Sequence, residues 1–327
     1  MGEIRHFTII SCAGFWWLFA ATLACADPPR HMPDIKQDAR PEWGRNWCAP
    51  AAVGNSFLWL SAQYNIPQLV HENGNGDLMT GEDVVEDVGV AMGTDPDKGT
   101  TGNQIETGKN DYLRDHQLAG TIFVERKRDP TKKWLKEQYA AGQDVEMAYG
   151  YFEQQPDGRW KRLGTGHTEL YGELPGMDAG GHIVSIVSLF DPLNNDADTD
   201  FQVTFTDPGR DDLTGQFGCI ASEQYVVNDP TGTPIQCTAS TYNVRFVLDF
   251  FGPGQNAYVL DGYTGLENGL GGRAPVVKAV LEDGFAESLP EPAVWPVLCA
   301  VAASLGSRRV LNRQTVTCRR SPRWPGH

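Results

Sequence analysis

The sequence predicts an α+β fold, with helices first and an antiparallel sheet after them. Three observations carry this. Residues 46–141 hold helix-type runs with caps, interrupted by a single strand-like stretch; from Gln143 onward β-type runs dominate. Segregated order of this kind gives α+β rather than alternating α/β. The third observation is one nearly all-apolar run near the start of the body, which belongs at the centre of a fold.

That run is Ala51, Ala52, Val53, Phe57, Leu58, Leu60 and Ala62, ending near Tyr64. Pro50 falls in its first turn, where a missing N–H costs little. Thr80-Gly81-Glu82-Asp83 caps a second helix over Val84–Met92, with an acidic first turn. Thr101-Gly102-Asn103-Gln104 starts a third, through Leu113, and Pro130–Ala141 reads as a fourth. Gly120–Arg126 is strand-like. The later strands are expected at Val145–Phe152, His182–Phe190, Phe201–Thr206, Gln224–Val227, Tyr242–Phe251 and Ala257–Tyr263. Pro-rich residues 27–44 read as a linker, and Gly-rich residues 266–289 as a spacer, leaving a domain over 45–265.

The ends read as addresses. Arg5, the apolar run Thr8–Leu23 and Ala24-Cys25-Ala26 follow the layout of a secretory signal over residues 1–26. The run is short of the roughly 20 residues that span a bilayer. An exported chain meets an oxidising compartment, so its cysteines are informative. Of seven, Cys12 and Cys25 leave with the signal, and Cys299 and Cys318 lie near the C-terminus. Cys219 and Cys237 flank a polar loop and suit a disulfide, which leaves Cys48 as the odd thiol and a candidate nucleophile. The net charge of −15, with no basic patch, argues against nucleic acid. No His-Glu-x-x-His and no Cys/His cluster of zinc spacing occurs, so neither catalytic metal nor cofactor is expected. The acidic stretch Asp191–Asp200 lacks the Gly and Glu of a calcium loop and reads as a solvated hairpin tip. His167 sits in polar surroundings, as a surface loop residue does. Trp43 and Trp47 suit either a cleft wall or packing against the buried helix.

Three residues point to chemistry. Cys48 starts the buried helix, where partial positive charge and free N–H groups favour a thiolate and offer donors to an oxyanion. His182 heads the strand Ile183–Val187, and Asp207 ends the strand Phe201–Thr206. A hairpin with its tip between Asn194 and Asn195 sets His182 opposite Asp207, about 5 Å away. A thiol, a base and a carboxylate that orients the base form a nucleophilic set.

Trp47-Cys48-Ala49-Pro50-Ala51-Ala52, Gly181-His182 and Thr206-Asp207-Pro208-Gly209, in that order, resemble the papain-like cysteine peptidases. The closer likeness is to the bacteriocin-processing, C39-like branch. The resemblance spans Asn46 to Tyr263. It implies a papain-like fold, Cys48 as nucleophile, His182 as general base and acid, Asp207 as the orienting residue, and a peptide or protein substrate. The Gln that the family carries about six residues before its Cys is here Glu42, with Gln37 farther back; Asn46 is the nearby candidate for an oxyanion donor. Ala49 replaces the usual Gly. A non-catalytic surface or matrix module on the same fold, and an amidase or transglutaminase, are the alternatives.

Leu289-Pro290-Glu291-Pro292, the apolar run Val294–Gly306 and Arg308-Arg309 resemble the PEP-CTERM sorting signal over 290–309, followed by a tail over 310–327. The resemblance implies an exosortase-type processing enzyme as partner, transient membrane association through residues 294–306, and a final place at the cell surface or outside a Gram-negative bacterium.

Overall fold

A computed structural model describes residues 30–43, 46–164, 181–267 and 275–289. The chain divides into two units, Met1–Leu289 and Pro290–His327. The expected signal, the sorting segment with its tail, and His167 lie outside the described residues. Among these, no helix is long and apolar enough to cross a membrane.

Among the described residues the fold is α+β, with four α-helices and a nine-stranded antiparallel sheet. Helix α1 (Cys48–Tyr64) is buried on every face from Cys48 to Ser61, as its all-round apolar sequence requires. Helices α2 (Gly81–Met92) and α3 (Gly102–Asp115) start at Thr80 and Thr101. Each threonine closes a reciprocal capping box, with Asp83 and Gln104 respectively. Close approach fixes some residues here: a Cβ on Gly89 would sit 2.4 Å from the Trp47 ring. Trp43 and Trp47 are buried and stacked at 5.9 Å, so they pack rather than line an open cleft.

The strands are β1 (Phe123–Arg128), β2 (Asp144–Gln154), β3 (Trp160–Arg162), β4 (Gly181–Phe190), β5 (Phe201–Thr206), β6 (Ala221–Asn228), β7 (Pro234–Gly252), β8 (Gln255–Leu260) and β9 (Val277–Ser288), with α4 (Lys132–Ala140) between β1 and β2. Hydrogen bonding runs β2-β4-β5-β7-β8-β9, and β9 pairs again with β2. The six strands therefore close into a barrel. Alternation along each strand sorts side chains between two cores. Val145, Met147, Val184, Ile186, Val203, Phe205 and Tyr242 fill the barrel. Ile183 and Val187 point the other way, onto α1. Ser185 Oγ donates to the Ala52 carbonyl at 2.9 Å and ties α1 to β4.

Two boundaries drawn from sequence need correction. Residues 30–43 are a packed strap, not a linker. Met32 and Trp43 are buried, Arg30 N–H donates to Val187 O at 3.3 Å, and Ile35 N–H donates to Asn55 Oδ1 at 2.9 Å. The stretch read as a spacer contains β9, which closes the barrel. Its acids are paired from afar: Asp283 with Arg126 (2.9 Å), Glu282 with Arg162 (2.7 Å) and Glu287 with Lys109. The domain thus runs from the strap to Leu289.

Between α3 and the barrel lies a fully buried charge cluster. Lys109 reaches Glu146 of β2 at 2.7 Å and Glu287 of β9, with Asp144 beside them. The three carboxylates approach within 4.8 Å of one another. Burial raises Asp144 to about 6 and Glu146 to about 7, and holds Glu287 well above the usual range, against the pull of Lys109.

The expected Cys219–Cys237 disulfide is not formed; both cysteines are free and buried. Register explains it. Cys237 faces Tyr225, whereas Ile220, next to Cys219, bonds to Thr241. Four residues of β7 separate these levels, about 13 Å at the strand rise. A disulfide needs Cα atoms within about 7 Å.

Candidate active site

Cys48 is the first residue of α1. The preceding Trp47 provides no side-chain cap. The first-turn N–H groups therefore have no side-chain acceptor from the cap position, and Pro50 contributes none. The backbone N–H groups of Cys48 and Ala49 sit where an oxyanion is best stabilised, at the positive end of the helix.

His182 heads β4 and is buried, directly opposite Tyr149 of β2. Its Nε2 lies 2.7 Å from Asp207 Oδ1. Its other nitrogen, Nδ1, has no hydrogen-bond partner; the ring also meets that of Tyr149 at 5.8 Å, and the Cys48 sulfur acts on it electrostatically. Burial alone would lower the imidazole pKa. The Asp207 charge, then the Cys48 sulfur, outweigh it and lift His182 to about 9. Asp207 moves the opposite way. Burial would raise it, yet His182, the Arg210 charge and the Tyr263 hydroxyl hold it well below the ordinary carboxylate range. Of the three residues predicted from sequence, His182 and Asp207 are joined by a hydrogen bond, and the Cys48 sulfur acts on the same imidazole.

The register differs from the expected one. Ser185 faces Thr206 and Ile186 faces Phe205, so Asp207 continues toward Val184 and not toward His182. The pair meets on the diagonal, a distance that an imidazole and a carboxylate together can bridge. The shift originates in the β4–β5 connection. A bulge falls between Ile186 and Ser188. The loop beyond is folded around lysines of α4: Lys132 binds Asp191 (3.1 Å), Asn195 (3.1 Å) and Thr199 (2.6 Å), and Lys136 binds Asp191 (2.8 Å). The acidic tip is held by these ammonium groups, which keep Asp191 far below the normal range despite the opposing effect of desolvation.

Several residues of the site were not legible beforehand. Tyr263 donates its hydroxyl to Asp207 Oδ2. Arg210 stacks on the Tyr263 ring at 3.9 Å, lies 3.8 Å from Asp207 Oδ2 and pairs with Asp212 at 2.7 Å. The only signals were position: Tyr263 ends a predicted strand, and Arg210 follows Asp207-Pro208-Gly209. The strap adds Gln37, buried, whose N–H donates to Pro208 O at 2.9 Å, and Lys36, whose Nζ donates to Asp207 O at 2.9 Å. Asn46, the candidate oxyanion donor, is buried and spends an amide N–H on Pro96 O at 3.0 Å. That bond anchors the turn before α1, so Asn46 has a structural duty.

No protein-family model matches the chain, and neither curated proteins nor solved structures return a match. The assignment of chemistry rests on the site itself.

Proposed function

We propose that the chain is an exported cysteine peptidase-like hydrolase of papain-like architecture, cleaving peptide or amide bonds through Cys48, His182 and Asp207. The observation that carries this reading is an imidazole hydrogen-bonded through Nε2 to a buried carboxylate, with the thiol at a helix N-terminus acting on the same ring. The thiolate attacks the amide carbonyl carbon, a C–S bond forms and the carbonyl electron pair moves onto oxygen. The Cys48 N–H, at the start of α1, stabilises that oxyanion. His182 Nδ1–H protonates the leaving nitrogen, the C–N bond breaks and a thioester remains. His182 then takes a proton from water, which attacks the thioester carbon and releases Cys48.

Iodoacetamide labelling of Cys48 from pH 5 to 9 tests the pair. The wild-type thiol should react at pH 6 about tenfold or more faster than in His182→Ala. Equal rates in the two proteins would sink the mechanism.

One observation favours a second reading. Cys48, His182 and Asp207 are 6%, 3% and 2% exposed, so a polypeptide reaches them only if the site opens. A non-catalytic surface or matrix module on the same fold needs no opening. Reactive Cys48 with no turnover of a peptide library supports that module; hydrolysis confined to side-chain amides supports the amidase or transglutaminase alternative.

The two ends support export and surface sorting by an exosortase-type enzyme. N-terminal sequencing of the released protein should begin near Asp27.

A further inference from the structure

A second charge pair lies on the Oδ2 side of Asp207, the side that His182 does not occupy. Arg210 shares a turn with Asp207, and its Nε lies 3.8 Å from Asp207 Oδ2 and 2.7 Å from Asp212 Oδ2. The guanidinium sits over the Tyr263 ring at 3.9 Å and the Phe217 ring at 4.8 Å, and Nη2 donates to Tyr263 O at 2.7 Å. The Arg210 side chain is 13% exposed and that of Asp212 3%, so water and salt screen the pair little. Burial opposes the charge on Arg210, and Tyr263, Asp207 and Asp212 sustain it. Asp212 also accepts the Tyr242 hydroxyl. The phenols facing this set carry no charge: Tyr149 and Tyr151 of β2, Tyr242 of β7 and Tyr263 are buried, and burial lifts their hydroxyls above the usual phenol range. From the strap, Lys36 meets the Asp207 carbonyl oxygen at 2.9 Å and is itself paired with Asp34 and Asp211. From α1, the Cys48 sulfur acts on the His182 ring.

We propose that Arg210 is a positioning residue for the His182–Asp207 pair, acting through Asp207 to set how firmly His182 holds its proton, with Asp212 as its counterweight. Its place in catalysis rests on the reading of Cys48, His182 and Asp207 as one site. With His182 protonated, two cations stand against two carboxylates and the buried set is neutral. Without Arg210 the imidazolium would face both carboxylates alone and hold its proton more tightly. Such an imidazolium is a poor acid toward a leaving nitrogen, because a general acid works best when its proton is held only moderately at the working pH. Arg210 offsets part of the carboxylate field and loosens the proton. Asp212 limits that offset and keeps the imidazolium from discharging too early.

The test is the titration of the His182 ring by proton–nitrogen NMR, on the full chain carrying Cys48→Ala, with His182→Gln to assign the signal. Expected is a midpoint about 0.5–1.5 pH units higher in Arg210→Met and about 0.3–1 unit lower in Asp212→Asn, with Arg210→Lys within about 0.3 unit of the parent. An Arg210 that only braced the turn would free Asp207 from His182 when removed, and the midpoint would fall. A lowered or unchanged midpoint in Arg210→Met therefore overturns the proposal, as does a raised or unchanged one in Asp212→Asn. Asp212→Asn keeps the side-chain shape and an acceptor for Tyr242, so it decides the question if Arg210→Met does not fold. Iodoacetamide labelling of the chain that retains Cys48, compared with His182→Ala, tests the catalytic reading separately. An ordinary thiol with midpoints shifted as expected fails that reading and keeps the Arg210 inference; a reactive thiol with midpoints unmoved does the reverse.

Discussion

Tyr263 donates its hydroxyl to Oδ2 of Asp207, while His182 occupies Oδ1 at 2.7 Å. The carboxylate is therefore anchored from both sides, by a base that it orients and by a phenol that orients it. Its third hydrogen bond, from Gly209 N–H at 2.8 Å, fixes the turn in which it sits.

Removing that phenol gives the first prediction. Tyr263→Phe deletes one hydrogen bond to a buried carboxylate and leaves the ring stack with Arg210. A loss of about 1–3 kcal/mol is expected in urea unfolding. Cys48 labelling should slow as well, since Asp207 gains freedom to turn from His182. A variant with full stability and unchanged labelling would show that Asp207 is held without Tyr263.

Lys109 is the one cation of the cluster formed with Asp144, Glu146 and Glu287. Lys109→Met keeps the length of the stem and leaves three carboxyls in a dry interior. The expected cost is about 3–5 kcal/mol, as for a broken buried pair. Denaturant midpoints measured at pH 5 and pH 8 check this. The deficit should be smaller at the lower pH, where the carboxyls carry protons.

The same cluster sets the direction of the stability–pH curve. Asp144 and Glu146 have folded pKa values of about 6 and 7, raised by burial above their unfolded values of about 4. Between those limits the folded state binds more protons, so stability is full below about pH 4 and falls as pH rises to about 7. His182, raised to about 9, extends the decline through that value. Asp207 runs the other way: its stabilising contribution is lost as pH drops below about 4. The thermal midpoint should therefore fall by about 3–10 °C from pH 5 to pH 8. Glu146→Gln should flatten that slope. A midpoint that climbs over this interval would contradict the assignment.

Cys219 and Cys237 should both be alkylated when the unreduced chain is unfolded in iodoacetamide, each adding one mass increment. Both are free in the fold, and their strand levels stand about 13 Å apart. A pair resistant to alkylation until reductant is added would show that the β6–β7 register differs from that described here.

Elements whose signal is local were legible in the sequence. Helix α1 announced itself because fourteen consecutive buried positions, Cys48–Ser61, demand an all-round apolar run. The capping boxes at Thr80 and Thr101 join residues three apart, so they too are written locally. Strand β9 was not. It carries Gly284 and three acids, a composition that looks like a spacer. Gly284 leaves room for Trp134, to which a Cβ would approach within 2.5 Å, and the acids find Arg126, Arg162 and Lys109 only after folding.

The candidate site divides along the same line. The order of Cys48 before a helix, His182 at a strand start and Asp207 at a strand end was readable, because each sits at an element boundary marked by its neighbours. The diagonal meeting of His182 with Asp207 was decided by a bulge and by Lys132, which shapes the loop from another helix. Tyr263, Gln37 and Arg210 also belong to the tertiary structure. The sequence alone determined the helix-then-sheet order and the residue types able to do chemistry, since propensity, capping and alternation act over a few residues. Barrel closure, register and the partners of buried charges depend on contacts across a hundred residues or more, and only the folded chain decides them.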